Sequence, residues 1–482
     1  MNHQVAQFFR RGQWGVPKRF GGETVIPSQK IVNHRSTIWR LALIAILVVL
    51  VRGVVFLFDT TQADIAYDVD CYLEIARNVV SGRGYSLLHY STSAEPVATA
   101  MRGPTAVYFL AAVLWLLGDH TWSIVIAQWL VDAGTAIILF FIAMEIFQDR
   151  RVAFVTSMLF AFYEPGLIFT FRGWSEPVFT LVLAGFTLSF LRALREPSSW
   201  RYALCGFLLG LAVLTRPVMQ FYPLVILPLL SWALKQRWLL VIPGFAIFSL
   251  AFIAVVSPWM VRNYVVFNAF KVSSYSGEPF FEGNFPLDQP DYLRHRGTED
   301  ASVPLQRAFE ARFGPTPHNL DLPHYTKAQL KKLDPSGNYA KFKGFNEFEI
   351  DQLAFQEGLK AVQTHPGRYV VLSIVRLLRV WFDHRFVTYV IVGGKLPRAS
   401  LVAAINATLL GLAVAAFVWF RASWLRPAVV SLIVLVGYNT AIYAATNAVG
   451  RYSVPIMPYV MVFAAFTIVQ LLPKWSKDLI PQ

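Results

Sequence analysis

Two acidic residues separated by one position, Asp68 and Asp70, stand just beyond the first long apolar segment of this chain. Bilayer headgroups attract Lys and Arg, so a pair of carboxylates at this boundary does not serve anchoring. Asp68 could take a proton from an attacking hydroxyl or amine, as a general base does. Asp70 stands where the N-cap of the next helix is expected, and its carboxylate could accept hydrogen bonds from the first-turn amides. Capping and catalysis are therefore both open for Asp70.

Four arginines occur at the ends of apolar segments, where each could meet a phosphate: Arg102, Arg216, Arg262 and Arg451. The planar guanidinium group binds phosphate through two parallel hydrogen bonds. Considered singly, each side chain is better explained as reaching toward the lipid headgroups. Their recurrence beside acidic residues instead favours a polar cavity. Arg216 lies between two short apolar stretches, where a broken helix could line such a cavity.

Two further acids lie at or inside apolar runs. Glu176 begins one run, and because an acid that faces lipid is costly, we expect it to face a cavity. Asp132 lies within another run with Gln128 and Gly134 nearby, which favours a hydrogen bond between helices over a functional carboxylate. Histidines and cysteines show no zinc-like spacing, so no metal site is predicted, although a carboxylate pair could hold a divalent cation.

The composition indicates what positions these residues. The chain has 482 residues, of which 55% are hydrophobic and only 15% charged. Apolar runs long enough to cross a hydrocarbon core of ~30 Å recur along most of it. The sequence therefore predicts an all-α polytopic membrane protein with about 11 to 13 transmembrane helices. The candidate spans are 38–58, 104–118, 122–147, 152–170, 177–194, 201–215, 217–233, 238–261, 369–390, 399–420, 426–446 and 455–473.

Polar regions divide the chain into four parts. We predict a cytoplasmic tail (1–37), a transmembrane module (38–262) containing a first loop (59–103), a large second loop (263–368) and C-terminal transmembrane helices (369–482). The positive-inside rule places both loops outside the cytoplasm, so we expect them to meet over one outer cavity. An amphipathic helix is predicted around 346–364. If every apolar run between 104 and 151 crosses the membrane fully, the basic end of this stretch falls outside the cytoplasm, against the positive-inside rule. One segment there is therefore expected to be re-entrant.

The net charge of +14 is partly explained by short basic flanks at the membrane. Basic and aromatic residues are dispersed among the spans, which argues against a nucleic-acid partner. The expected partners are instead the lipid bilayer and, if some arginines bind phosphate, a phosphate-bearing lipid.

The order of these motifs resembles the membrane glycosyltransferases of the GT-C fold, the superfamily of protein O-mannosyltransferases and aminoarabinose transferases. The resemblance runs from about residue 64 to 300, with weaker similarity at 346–385 and 450–460. It is carried by the acidic pair, Tyr72-Leu-Glu-Ile-Ala-Arg-Asn-Val-Val-Ser-Gly-Arg-Gly-Tyr85, Arg102-Gly-Pro104, Glu176, Leu214-Thr-Arg216, Pro258-Trp-Met-Val-Arg-Asn263, Gly283-Asn284 and Arg451-Tyr-Ser-Val-Pro455.

The resemblance implies a GT-C-like helix bundle in the bacterial inner membrane, with an extracytoplasmic active site. It implies that Asp68 is the catalytic base, that Arg102 and Arg216 hold the phosphate of a polyprenyl-phosphate sugar donor, and that Glu176 organises the cavity. Arg262 and Arg451 are candidates for the same phosphate. Many relatives have adjacent acids where this chain has Asp68-Val-Asp70, so either acid could be the base; the spacing to Tyr72 favours Asp68.

The implied reaction is transfer of the sugar, with inversion and without a required cofactor, to an extracytoplasmic lipid, glycan or protein. One alternative is a transporter or flippase with a coupling path through Asp132, Glu176 and the arginines, which would predict repeat symmetry that the sequence lacks. Others are a lipid-linked glycan ligase or polymerase and a membrane scaffold. The sequence identifies neither the sugar nor the acceptor, although the second loop is expected to choose the acceptor.

Overall fold

The computed structural model describes residues 34–58, 71–87, 96–235, 237–293, 347–383, 387, 390, 400–419 and 425–472. Asp68 and Asp70 lie outside these described residues, as does most of the predicted tail. The described chain is helical except for loops and one pair of two-residue antiparallel strands, β1 (Ser86–Leu87) and β2 (Val97–Ala98). The predicted all-α class is confirmed.

Ten helices of the described residues precede the second loop. They are α1 (His34–Phe58), α2 (Tyr72–Val80), α3 (Pro104–Leu117), α4 (Thr121–Phe147), α5 (Arg150–Ala161), α6 (Glu164–Leu167), α7 (Glu176–Arg195), α8 (Ser199–Thr215), α9 (Tyr222–Ala233) and α10 (Trp238–Phe267). The second loop holds α11 (Gly277–Asn284) and α12 (Glu347–Thr364), which confirms the predicted amphipathic helix. The remaining helices of the described residues are α13 (Pro366–Phe382), α14 (Ser400–Trp419), α15 (Pro427–Ala445) and α16 (Met457–Leu471).

Six described helices are long and apolar enough to cross a membrane: α1, α4, α7, α10, α14 and α15. Four shorter apolar helices, α3, α8, α9 and α16, have 10–17 residues. The 14 residues of α3 rise about 21 Å, which is less than the ~30 Å of a hydrocarbon core. The polytopic membrane class is therefore confirmed, while the count of about 11 to 13 crossings stays a prediction.

The expected span 152–170 is not one straight helix. Instead, α5 is followed by α6 and a 3₁₀ turn (Ile168–Phe171), and the two parts are bent by 59°. Pro165 explains the break, because it lacks the N–H that would bond the carbonyl of Ala161 and its ring clashes there. Arg52 donates to that carbonyl oxygen from Nη1 at 3.2 Å. A side chain from the first span thus satisfies the backbone group that the proline leaves open.

Close helix packing supports the bundle between α8 and α10. Gly206 faces the backbone of Phe248, and a Cβ atom at this glycine would collide with the carbonyl oxygen. Gly210 similarly faces Val255, to which a Cβ atom would approach within 2.8 Å. Small residues at such contacts let membrane helices approach closely, which increases van der Waals packing where lipid supplies no hydrophobic driving force.

Helix α12 joins the two loops through a pair of buried carboxylates one turn apart. Glu347 accepts hydrogen bonds from the backbone N–H of Ala100 and from Oγ1 of Thr99, the latter at 3.0 Å. Asp351 accepts through Oδ1 from the N–H groups of Ser276 at 2.7 Å and Glu278 at 3.3 Å, at the start of α11. Because positions i and i+4 share one helix face, α12 holds together the segments that precede α3 and α11.

Candidate active site

A cavity of about 390 Å³ lies where the two loops meet the ends of the helices. Its wall includes Tyr72 and Arg102 from the first loop, Tyr275 and Phe280 from the second loop, and Arg216 and Arg451 from breaks between helices. The prediction that both loops meet over one cavity is therefore confirmed. Three of the four candidate phosphate-binding arginines also line it.

Glu176 holds two of these arginines side by side. It is the first residue of α7 and is 2% exposed. Its Oε1 lies 3.3 Å from Nη1 of Arg216 and 3.8 Å from Nε of Arg451. A carboxylate between two guanidinium groups offsets their mutual repulsion, which would otherwise drive them apart in a site of low dielectric. Glu176 lies behind the two cations and does not itself line the wall, and its role in organising the cavity stays a prediction.

The backbone break at Arg216 follows from its neighbour. Helix α8 ends at Thr215, and Arg216 is extended, with φ −142° and ψ 117°. The following proline disfavours a helical conformation at Arg216 and cannot continue the α8 hydrogen-bond ladder. The guanidinium carbon lies 5.4 Å from the ring centroid of Tyr452 and 5.8 Å from that of Phe179. The predicted broken helix at Arg216 is confirmed.

Arg451 is the most accessible of the cavity arginines. It lies in a 3₁₀ turn (Gly450–Ser453), and its side chain is 30% exposed. The guanidinium carbon is 5.2 Å from the ring centroid of Trp174. A Cβ atom at Gly450 would come within 2.7 Å of the Asp383 carboxylate, so only glycine permits this approach of the turn to the end of α13. The turn thus presents Arg451 to the cavity from a fixed backbone.

Arg102 does not extend toward lipid headgroups. It is 9% exposed, and its guanidinium lies between aromatic rings, 4.7 Å from the centroid of Tyr275 and 5.6 Å from that of Tyr72. The next residue, Gly103, contacts the carbonyl groups of Leu214 and Thr215 so closely that a Cβ atom would collide with both. The glycine after Arg102 is therefore required to bring that arginine beside the Arg216 break.

Arg262 is separated from the other three arginines. Its Nη1 donates to the carbonyl oxygen of Thr99 at 2.7 Å, and its Nη2 donates to that of Tyr85 at 3.2 Å. The guanidinium carbon also lies 4.9 Å from the ring centroid of Trp259, and the residue is not part of the cavity wall. Helix α10 continues past the expected end of the span to Phe267, so Arg262 lies within the helix and binds first-loop backbone. The structure thus assigns Arg262 a role in holding the first loop, in place of the predicted phosphate contact.

The start of α2 corrects the interpretation of Asp70. The helix begins at Tyr72, and its N-cap residue is Cys71, with a left-handed φ of 61°. Asp70 is one residue before the N-cap, so the predicted capping position was wrong by one residue. A capping role therefore no longer argues against Asp70 as the base, and either Asp68 or Asp70 could serve. Both acids lie outside the described residues, whereas Tyr72 lines the cavity.

Glu282 and Asn447 were missed by the sequence analysis. Glu282 is 9% exposed near the end of α11, and its Oε2 accepts a hydrogen bond from Nδ2 of Asn447 at 3.2 Å. Burial and the neighbouring Glu278 raise the pKa of the Glu282 carboxyl to about 8, although the nearby Arg102 and Arg451 lower it. The only local signal was an acid directly before the Gly283-Asn284 pair.

Asp132 forms a contact between helices, as predicted, but with an unexpected partner. Its Oδ2 lies 2.6 Å from Nε of Arg52 in α1, and both side chains are at most 5% exposed. Gln128 instead donates from Nε2 to the carbonyl oxygen of Trp174 at 3.3 Å. Neither Asp132 nor Arg52 belongs to the cavity wall. This pair therefore ties the first span to α4.

Metal binding has no support in the described part of the chain. Within those residues, no group of three or more His, Cys, Asp or Glu side chains is arranged to hold a metal ion. Asp68 and Asp70 fall outside them, so the expectation that no metal is required, with a divalent cation at the carboxylate pair as its alternative, stays a prediction.

Part of the chain matches a known family model. Residues 101–261 match the family model described as dolichyl-phosphate-mannose-protein mannosyltransferase. This region contains Arg102, Glu176 and Arg216. No curated protein sequence matches the chain significantly.

The fold is similar to that of an archaeal oligosaccharyltransferase, AglB from Archaeoglobus fulgidus, in complex with an inhibitory peptide and a dolichol-phosphate. The TM-score is 0.51 at 13% identity, over 91% of this chain and 51% of that chain. The oligosaccharyltransferase of the same organism tethered to an acceptor peptide gives a TM-score of 0.50 at 13% identity, over 90% and 50% of the two chains. This chain thus spans about half the length of the oligosaccharyltransferases it matches.

A third structure, ArnT from Cupriavidus metallidurans bound to undecaprenyl phosphate, aligns over 89% of this chain and 81% of that chain at 15% identity. Its TM-score of 0.34 is too low to support an argument. At these identities, the similarities to the oligosaccharyltransferases concern the fold alone.

Proposed function

We propose that this chain belongs to the protein O-mannosyltransferase superfamily of GT-C-fold membrane proteins and is a glycosyltransferase that moves a sugar from a polyprenyl-phosphate donor to an extracytoplasmic acceptor. The observation that carries the proposal is the convergence of Arg102, Arg216 and Arg451 on one cavity. The proposed location is the inner membrane, with the cavity open to the extracytoplasmic face. The sugar and the acceptor (lipid, glycan or protein) stay open.

The arginines suit the charge that develops on a lipid phosphate. The donor is a phosphodiester with one negative charge, and the departing phosphate monoester gains a second one when its bond to the sugar breaks. Charge-assisted hydrogen bonds from guanidinium groups strengthen as that charge grows, which lowers the barrier to departure. Arg451 and Arg102 would bind the phosphate oxygens, while Glu176 keeps Arg216 and Arg451 together.

Asp68 is the proposed base. It precedes Tyr72 of the cavity wall by four residues, so covalent geometry limits its Cα atom to within about 14 Å of that of Tyr72. Deprotonation of an acceptor hydroxyl or amine would let it attack the anomeric carbon opposite the departing phosphate. A single displacement inverts the sugar and needs one base. It requires no cofactor, although a divalent cation bound by Asp68 and Asp70 is an alternative that chelation would test.

An apolar groove offers room for the isoprenoid chain. It has a volume of about 850 Å³ and lies between α14, α15 and α16, with Val414, Leu432 and Val460 in its wall. Helix α15 also contributes Tyr443 to the active-site cavity. A donor whose phosphate meets Arg451 could therefore extend its tail along α15 within the bilayer.

The transporter alternative requires a different use of the buried acids. A coupling path through Asp132 would need a carboxylate that exchanges protons or ions with the cavity. Asp132 instead bonds Arg52 away from the cavity wall. If the Asp132–Arg52 pair is structural, the Asp132→Asn protein should be less stable than wild type but should transfer sugar with an unchanged KM for the donor. Selective loss of solute movement in vesicles would support transport.

Reconstitution of the full-length protein in vesicles tests the proposal. The assay would combine polyprenyl-phosphate sugars with envelope extract from a deletion strain and follow glycosylated product by mass spectrometry. We expect one polyprenyl phosphate released per sugar transferred, loss of transfer in Asp68→Asn, and retention in Asp70→Asn. The reverse pattern would move the base to Asp70. Solute movement without glycosylated product would overturn the enzyme assignment, while extension of a lipid-linked glycan would indicate a ligase or polymerase.

A further inference from the structure

One polar contact at the cavity is not explained by phosphate binding. Asn447 follows the end of α15 and lines the cavity, and its Nδ2 donates to Oε2 of Glu282 at 3.2 Å. Within the described residues, the Asn447 side chain makes this one hydrogen bond, through Nδ2, and Oδ1 takes no part in it. A side-chain amide with one end held by a buried carboxyl group has a defined orientation, which leaves the other end to meet a ligand.

The backbone around this contact is fixed. Gly283 packs so closely on the carbonyl group of Thr446 that a Cβ atom would collide with it. Arg376, a fully buried side chain, donates to the carbonyl oxygen of Gly283 and, at 3.4 Å, to that of Ala444. One guanidinium group thus joins the end of α11, which carries Glu282, to the end of α15, which Asn447 follows by two residues. A contact held by rigid elements in this way is preorganised for recognition.

The cavity has groups of two kinds. The arginines attract phosphate, whereas Asn447 and the Glu282 carboxyl group carry no positive charge that would attract it. Tyr443 and Tyr452 stack at 4.3 Å between ring centroids, and both line the cavity beside Asn447 and Arg451. An amide oxygen accepts hydrogen bonds from hydroxyl groups, and aromatic rings pack against the apolar faces of a sugar ring. A phosphate-linked sugar would therefore place its phosphate at the arginines and its hydroxyl groups toward Asn447.

We propose that Asn447 is a specificity-determining residue that accepts a hydrogen bond from a hydroxyl group of the transferred sugar, and that Glu282 is the positioning residue that orients the Asn447 amide. The inference rests on the proposed function, because it assumes a sugar linked to the bound phosphate. It adds the residues that recognise the sugar, as distinct from those that bind its carrier.

The test compares the sugar donor with the bare carrier lipid, using reconstituted full-length protein. We expect Asn447→Ala and Glu282→Ala each to raise the KM for the donor about tenfold, since each removes one oriented hydrogen bond. Neither should raise the Ki of polyprenyl phosphate, which lacks the sugar. The double variant should resemble Asn447→Ala, because the two residues act through one contact. Glu282→Gln keeps an acceptor for Nδ2 and should stay within about threefold of wild type.

Deoxy donors identify the contacted hydroxyl. One monodeoxy analogue should bind about tenfold more weakly than the parent donor to wild type, and this difference should disappear in Asn447→Ala. Glu278→Gln, which removes a neighbouring acid on the same helix, is the matched control and should discriminate as wild type does. Equal rises in donor KM and carrier Ki, or unchanged deoxy discrimination in Asn447→Ala, would overturn the assignment. Failure of the wild type to bind polyprenyl phosphate at all would instead overturn the proposed function.

Discussion

Glu176 and Arg216 lie 40 positions apart in the sequence and form an ion pair behind the cavity wall, with 3.3 Å between Oε1 and Nη1. The pair joins the first residue of α7 to the break after α8. Arg451, from the other end of the chain, shares the same carboxylate oxygen at 3.8 Å. One buried acid therefore assembles two cations that the chain delivers separately, and this arrangement yields a direct prediction.

Replacement of Glu176 by Gln should destabilise the protein and make it more dependent on an anionic ligand. Removing one partner of a buried ion pair costs about 3–5 kcal/mol, because the remaining charges stay buried without compensation. A bound phosphate would supply that compensation. We therefore expect a lower Tm than wild type and a larger increase in Tm on addition of polyprenyl phosphate. A ligand-induced increase no larger than that of wild type would contradict the assignment of these arginines to phosphate.

Arg451 and Arg262 form a matched pair of arginine substitutions. Arg451→Ala should weaken polyprenyl phosphate binding by roughly 10- to 100-fold with little change in Tm, because hydrogen bonds to charged groups contribute about 1.5–3 kcal/mol and this side chain is partly exposed. Arg262→Ala should instead lower Tm and leave the affinity for polyprenyl phosphate nearly unchanged, since its guanidinium bonds Thr99 and Tyr85. If Arg451→Ala instead lowered Tm and Arg262→Ala instead weakened polyprenyl phosphate binding, the roles given to these two arginines would be wrong.

Gly103→Ala should abolish the proposed sugar transfer although the change is one methyl group. The added Cβ atom would collide with the carbonyl groups of Leu214 and Thr215, so the segment carrying Arg102 must move away from Arg216. A displacement of about 1 Å at a binding group can reduce activity about 100-fold. Gly411→Ala in α14 is the control, because no atom of the described residues lies within 4 Å of the added methyl group and alanine favours the helix. Transfer assays and thermal unfolding of both proteins would check this, and wild-type activity in Gly103→Ala would contradict it.

Donor binding should weaken at alkaline pH through Glu282. Its pKa of about 8 means that the carboxyl group is mostly protonated at neutral pH and ionises above pH 8. Ionisation places a negative charge near Arg102 and Arg451, with Glu278 as a further acid beside it, and this charge opposes the anionic donor. We expect the dissociation constant of polyprenyl phosphate to rise between about pH 7.5 and 9 in wild type and to stay flat in Glu282→Gln. Identical pH profiles would exclude Glu282 as the responsible group.

Local sequence determined the class of protein and several elements of the site. Long apolar runs predict membrane helices because a bilayer requires each segment to satisfy its own backbone hydrogen bonds. The sequence of the segment alone therefore decides that it forms a helix. The break at Arg216 is likewise local, because Pro217 restricts the residue before it. The helix Glu347–Thr364 followed from its amphipathic pattern. The resemblance carried by the ordered motifs also implied a GT-C-like helix bundle.

Only the tertiary structure decided which charged residues meet. Arg102 and Arg262 have the same residue type and similar boundary positions in the sequence, yet one lines the cavity and the other binds backbone. Arg52 as the partner of Asp132, and Glu282 as the partner of Asn447, are contacts across 80 and 165 positions. Such pairs depend on how helices pack and where breaks place their ends. Hydropathy and residue spacing report the environment of one segment, whereas an ion pair or hydrogen bond requires two distant segments to arrive at the same point.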